Sequence, residues 1–448
     1  MKNFIVSLFM LGICASFLPA CNSSKGENAS INQRLQIPEI INRNYTIGSD
    51  EEREQLLTTY DNALLAIQQN TNNLEPYITL AQVFITEARI TGDGVYYHNA
   101  AMQMLNKILN YPTIDKDLKF QSLTLKSSVL MSMHQFQEAL NVANEAYTIS
   151  QHNAQLLGAL VDAHVELGQY NEAVKLCDQM MNLRPDIRSY SRVSYLRQIY
   201  GDMPGAIEAM KMAVEAGAPG AESTEWARIV LGDLYLACGD LQSAETNYKM
   251  ALTYRKDYPY AYAALGRVEK AKKNYPEAIR QTENAIRIIS DLSFVSQLAD
   301  LNELAGNSEK AKEINEDIVD LLEEGEKAQN KEQNPVKHNG AREMATAFMK
   351  IGDLKKAEMY AQRDLNMRPE NIDANDLAAW IYFLNGDIAN AKMHADKMMA
   401  TNSKMPNHLF KAGVIYKKSG DNEKGDAFIA EAMQNTSAID PLLLKYAK

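Results

Sequence analysis

At 448 residues, with 46% hydrophobic and 23% charged side chains, the chain has the make-up of a globular protein but exceeds what one ordinary hydrophobic core can organise. Only 22 Gly and 13 Pro exclude a fibrous or low-complexity chain. A net charge of −11 argues against nucleic acid, whose phosphates need a basic stripe, and against broad adsorption to anionic lipid.

The chain opens with Met1-Lys2-Asn3 and an apolar run from Phe4 to Ala20. One positive charge ahead of a short hydrophobic stretch is the layout of a secretory signal, and the run is short for a transmembrane helix. It ends in Leu18-Pro19-Ala20-Cys21, which resembles the lipobox of bacterial lipoproteins. That resemblance implies cleavage before Cys21 and acylation of its thiol, with Asn22 in place of Asp favouring the outer membrane, on either its periplasmic or its surface face. Residues 1–20 are therefore expected to be a signal peptide, and residues 21–50, which lack any repeat pattern, a tether.

From residue 51 the pattern is helical. Glu51–Gln69 reads as a single amphipathic helix, with Tyr60, Leu64 and Ile67 on one face, placed to cap the helices after it. Leu74 to Lys119 then contains two helices separated by extra residues, Thr91-Gly92-Asp93-Gly94-Val95-Tyr96-Tyr97-His98. The plainer expectation is an ordinary long connection; the functional one is a projecting loop that offers Tyr96 and Tyr97 to a partner. Next comes self-similarity with a period of 34 residues. Its clearest unit, Ala154 to Asp186, carries Leu157, Leu160, Val161, Gly168, Tyr170, Ala173, Cys177, Met180 and Pro185. Apolar residues three and four apart mark two helices, Gly168 turns the chain between them, and Pro185 stops the second. Equivalent units begin at Phe120, Ile187, Glu225, Pro259, Leu292, His338, Ile372 and Pro406.

These positions are the ones at which tetratricopeptide repeats carry their packing residues, so the stretch from Leu74 to Ile439 resembles that family. The implied fold is all-α: a right-handed α-solenoid of antiparallel helix pairs. A polar stretch ending in Asn334-Pro335 divides the array, giving an N-terminal array at 51–325, a linker at 326–337 and a C-terminal array at 338–448. Cys177 and Cys238 fall two units apart, too far for a disulfide.

The family lines its concave surface with the first helix of each unit. By register that places Gln155 and Asp162, then Arg188 and Tyr195, then Trp226 and Asp233 on the groove. Tyr260, Arg267 and Lys270 follow, and in the last units Arg342, Asp376, Trp380 and Phe383. Arginine and aromatic side chains are the usual anchors of an interface, so the groove is expected to take an extended peptide or a partner helix. No phosphate-binding, hydrolase or zinc-protease motif is present, and the seven His are scattered singly along the chain. His164 reads as a satisfied core residue. Met131-Ser132-Met133-His134 and His394 with Met398 and Met399 combine thioether and imidazole, which suit Cu(I), but Met398 stands where the repeat needs a core residue. The resulting expectation is a lipid-anchored scaffold for envelope or surface proteins, with no cofactor, no metal and no catalysis. The alternative is a glycan- or nutrient-binding lipoprotein of an outer-membrane uptake system.

Overall fold

The computed structural model describes residues 35–44, 46–331 and 336–447; Cys21 and the segment before it lie outside them. Among the described residues there are 21 α-helices and no strand. Helix α1 (Asp50–Gln69) stands alone. Ten pairs follow: α2/α3 (Glu75–Thr91, Gly94–Leu109), α4/α5 (Lys116–Ser132, Phe136–Ile149), α6/α7 (Ala154–Glu166, Tyr170–Leu183) and α8/α9 (Ile187–Ile199, Met203–Glu215). The series continues with α10/α11 (Glu222–Ala237, Leu241–Tyr254), α12/α13 (Pro259–Ala271, Tyr275–Ile288) and α14/α15 (Leu292–Leu304, Ser308–Lys331). It ends with α16/α17 (Ala341–Lys350, Leu354–Met367), α18/α19 (Ile372–Leu384, Ile388–Met398) and α20/α21 (Pro406–Lys418, Asn422–Ala432). Two short 3₁₀ turns, Met433–Ala438 and Leu444–Tyr446, close the chain.

The same devices build each pair. From α4/α5 onward the residue between the two helices is left-handed: Gly168, Gly201, Gly239, Gly306, Gly352, Gly386 and Gly420 have φ between 75° and 93°, and His134 and Lys273 take the same turn at 56° and 61°. The following N–H reaches back to a carbonyl five residues earlier, as from Gln169 to His164 at 2.7 Å and from Asp353 to Phe348 at 3.0 Å, which closes the first helix. Small residues then let the helices cross closely. Ala139, Ala173, Ala206, Ala244, Ala278, Ala357 and Ala391 are fully buried on second helices. On the first helices, a Cβ added at Gly232 would lie 2.3 Å from the Tyr248 ring, and one at Gly413 would lie 2.6 Å from Ile429.

The solenoid coils far enough to touch itself. Arg368 on the α17–α18 connection donates to Glu166 on α6 at 2.6 Å, 202 residues away. The Ile372 N–H donates to the Tyr170 hydroxyl at 2.8 Å, also 202 residues away. His134 meets the carbonyl of Asn339 at 3.2 Å across 205 residues, and Arg255 meets Glu52 at 2.9 Å across 203. A constant offset of this size is about six units of 34 residues, so the second superhelical turn rests directly on the first. The turn glycines touch the opposite turn: a Cβ at Gly168 would meet the Glu370 carbonyl carbon at 2.4 Å, and one at Gly201 the Asn402 oxygen at 2.6 Å.

Two expectations are corrected. Residues 92–98 form no projecting loop. Gly92 and Asp93 alone join the two helices, residues 94–98 form the start of α3, and Tyr97 is 1% exposed. The Tyr97 hydroxyl accepts from the Ile41 N–H at 3.0 Å, and Tyr96 donates to the Glu39 carbonyl at 2.8 Å. Those partners belong to residues 35–44, which, with 46–49, are packed against the helices rather than loose. Ile37 is buried, Tyr60 donates to the Pro38 carbonyl at 2.7 Å, and Arg43 is paired with buried Glu87 at 3.0 Å and with Glu52 at 3.0 Å. The extra tyrosines therefore fasten the N-terminal arm over the end of the solenoid.

Candidate functional site

The first helices of the pairs line the inner wall of the coil. Their charged side chains are joined from unit to unit: Arg192 to Asp162 at 2.8 Å, Arg267 to Asp233 at 2.6 Å, Lys350 to Asp300 at 2.7 Å, and Lys411 to Asp376 at 2.7 Å. Lys270 reaches Asp440 of the C-terminal tail at 3.3 Å. Tyr248, held above its usual range by burial and by Asp233, donates to that carboxylate at 2.6 Å. Asp376 is held below the usual range even though burial alone would raise it, because Lys411, His408 and Arg342 face it. Asp162, Asp233, Arg267 and Asp376 are thus each spent on a neighbouring unit, and Lys270 on the C-terminal tail.

The accessible groups are fewer. Trp226, 45% exposed, lies seven residues before Asp233 on α10, two helical turns away on the same face. Tyr195 is 41% exposed, yet the protein around it pushes its phenol well above 10, by desolvation first and then by Asp373 and Glu166. Tyr195 edges a cavity of about 290 Å³ formed by Met131, Val161, Val165 and Leu196 with Asp162, Glu166 and Arg192. Arg342 is exposed on α16, and its guanidinium has neither a hydrogen bond nor an ion pair among the described residues. Its charge is felt by Tyr195 and Glu166 of the first turn and by Asp376 of the second. Among the described residues, the wall therefore offers two open aromatic rings and a free cation.

Other expected residues sit elsewhere or are used internally. Gln155 is exposed at the start of α6, and Arg188 is exposed beside Asp186 at 3.4 Å. Tyr260 is half-buried between Tyr258 and Phe294. Trp380 is only 5% exposed. It stacks on Phe383 at 4.9 Å, and Tyr446 covers it edge-on at 5.1 Å, so this pair anchors the C-terminal tail. His164 is not core: it meets Gln169 at 2.6 Å on the surface turn. His394 bonds Asn375 at 2.8 Å and stacks on Tyr382, while Met398 is fully buried, so neither is offered to copper. Cys177, buried, and Cys238, partly buried, are both free; burial pushes the Cys177 thiol up to about 11, out of reach of ionisation at neutral pH. The histidines are not all single. His98, His134 and His338 converge, and His98 is pushed down to about 4 by burial first and then by the other two rings.

Helix pairs with close small-residue crossings, coiled around a charged wall, define an all-α tetratricopeptide solenoid, an interaction-scaffold architecture that is generally non-catalytic. Two stretches match family models described as tetratricopeptide repeat, residues 130–198 and 229–292. Among solved structures, a thermophilic TPR protein of Thermus thermophilus is similar over 41% of this chain and 98% of its own, at 19% identity and a TM-score of 0.37. The APC/C hetero-tetramer Cut9–Hcn1 is similar over 87% of this chain and 60% of its own, at 12% identity and a TM-score of 0.44. The human IFIT1 dimer with PPP-AAAA is similar over 86% and 88%, at 13% identity and a TM-score of 0.44. No sequence among curated proteins matches.

Proposed function

We propose that this chain is an exported scaffold, tethered to the outer membrane through acylated Cys21, whose inner wall receives an extended segment of an envelope protein. The observation that carries the binding reading is the contrast along the wall. Its charges are satisfied pairwise, whereas Tyr195, Trp226 and Arg342 are left open. Two aromatic rings and an arginine are the side chains that most often dominate a protein interface, and a mostly neutralised wall imposes little charge restriction around them. The anchoring part rests on the apolar run that ends at Leu18-Pro19-Ala20-Cys21. No helix among the described residues is long and apolar enough to cross a membrane.

A photo-crosslinking amino acid at Trp226 or Tyr195 in intact cells should capture a discrete partner band, and one at Met359, exposed on second helix α17, should not. Equal capture from all three positions would remove the wall from consideration. Mass spectrometry of the mature N-terminus should find a lipid-modified Cys21; an unmodified or differently cleaved terminus would sink the tether.

A further inference from the structure

We propose that His134, His338 and Glu343 form a binding site for a divalent transition-metal ion of the zinc class, which clamps the second superhelical turn to the first.

The three residues come from separate places. His134 follows α4 in the first turn of the coil. His338 and Glu343 belong to the segment that starts the second turn, His338 before α16 and Glu343 in its first helical turn. Their candidate donor atoms all lie within 4.8 Å of one another, and the two imidazole rings are 4.6 Å apart. A zinc ion 2.0–2.2 Å from each ligand would hold those atoms roughly 3.4 Å apart, so side-chain rotations of about an ångström complete the site.

Independent features point the same way. His134 occupies the left-handed turn position that seven other units give to glycine, at φ 56°. Lys273 shows that a side chain is possible there, at a conformational cost, and the His134 side chain is directed across the seam. Its Nδ1 faces the Asn339 carbonyl at 3.2 Å. A carbonyl only accepts, so Nδ1 carries the proton there; the same Nδ1 lies 3.8 Å from Glu343 Oε1, so the ring must turn to bring Nε2 and its lone pair to a metal. A ring N–H donated to a backbone carbonyl is the usual second support of a ligating histidine. Glu343 Oε2 is buried with no hydrogen-bond partner, while its Oε1 lies 3.8 Å from His134 Nδ1, so one carboxylate oxygen is left to be satisfied. The backbone around the cluster is already fixed across the seam: the Asn339 N–H donates to the Met133 carbonyl at 3.0 Å, and Gln135 donates to the Lys337 carbonyl at 2.8 Å.

Two imidazoles and one carboxylate suit zinc and its borderline neighbours better than calcium or magnesium, which take all-oxygen shells. A cavity of about 400 Å³ borders two of the three residues, His338 and Glu343, and leaves room for water beside them. A metal there would join residues 134 and 338 without any covalent bond, closing a loop six units long.

The test uses the full purified chain, stripped with chelator and titrated with Zn²⁺ against a chromophoric competitor. One equivalent should bind with a dissociation constant below about 10 µM, and the thermal unfolding midpoint should rise. His338→Ala and the near-isosteric Glu343→Gln should each weaken binding at least about tenfold, while His152→Ala, on an exposed loop, should not. Should His338→Ala fail to fold, Glu343→Gln and the visible spectrum of the Co²⁺-loaded native chain, which reports four-coordinate nitrogen and oxygen ligation, decide the matter. Failure to bind one equivalent, binding unchanged in Glu343→Gln, or a six-coordinate Co²⁺ spectrum would each overturn the site.

Discussion

The inside of a helix pair and the seam between superhelical turns are held by different chemistry. Inside a pair, Ala139 and its equivalents sit flush against the opposite helix, and fully enclosed rings such as Phe84, Phe348 and Phe410 fill the space around them. Across the seam some apolar packing remains, with Ile372 in one cluster with Val161, Val165 and Leu196, but most of the individual contacts are polar. Arg368 and Asp364, both buried, are joined at 2.7 Å and linked on to Glu166; Asn371 donates to the Val165 carbonyl, and Tyr170 caps Ile372. Apolar packing is non-directional, so the same small–large pattern can be repeated for every unit. A polar seam needs one donor for one acceptor, so it is written residue by residue and shows no period.

This contrast can be broken at points of decreasing force. Phe410→Ala removes a wholly enclosed ring from α20 and should cost about 4 kcal/mol by chemical denaturation, with hydrogen exchange accelerating first in the last three pairs. Arg368→Ala leaves Asp364 buried without its cation and should cost about 3 kcal/mol. Because Arg368 also reaches Glu166, exchange should rise on α6 as well as on α17, a spread that pair-only packing would not produce.

Gly168→Ala tests the seam by shape. The added methyl meets the Glu370 carbonyl, and the residue is left-handed, so about 2 kcal/mol should be lost. Protection should fall around residues 368–372 while α6 and α7 stay paired; loss of the pair itself would contradict a separable seam.

The smallest effect is in the pH dependence. Asp376, paired within one turn of the coil, is held below the usual aspartate range, so the stability it contributes is present above the unfolded value and lost as pH falls through its folded value. Glu166, at the seam, is shifted the other way: burial raises it, Arg368 opposes this, and the raised value prevails. The folded chain therefore takes up a proton at Glu166 before the unfolded chain does, and stability gains as pH falls through that raised value. Asp376→Asn should flatten the acid limb of a stability-against-pH curve. Glu166→Gln should remove the opposing gain and change stability at pH 7 by under about 1 kcal/mol, since Arg368 retains Asp364.

The repeat was legible because its causes are local and periodic. Gly168, Gly201 and Gly239 announce left-handed turns, and Ala173, Ala206 and Ala244 announce close crossings, each readable within one unit. The same register singled out Asp162, Asp233 and Arg267, but it could not foresee that Arg192 takes Asp162 and Arg267 takes Asp233, because these salt bridges join different units. Tyr96 and Tyr97 in a Gly-rich stretch read as a loop; the helix that begins at Gly94 and the arm from residue 35 gave their hydroxyls partners that no window of 34 residues contains. Trp380 was displaced from the groove in the same way, by a tail ring 66 positions later at Tyr446.

By itself, the sequence determined an all-α array of 34-residue helix pairs, because backbone turns and close-packed small residues are decided within a few residues of chain. The pitch at which the array coils was decided only in three dimensions. Small rotations between neighbouring pairs add up over six units before Glu166 meets Arg368 and His134 meets His338, and no single unit records that sum.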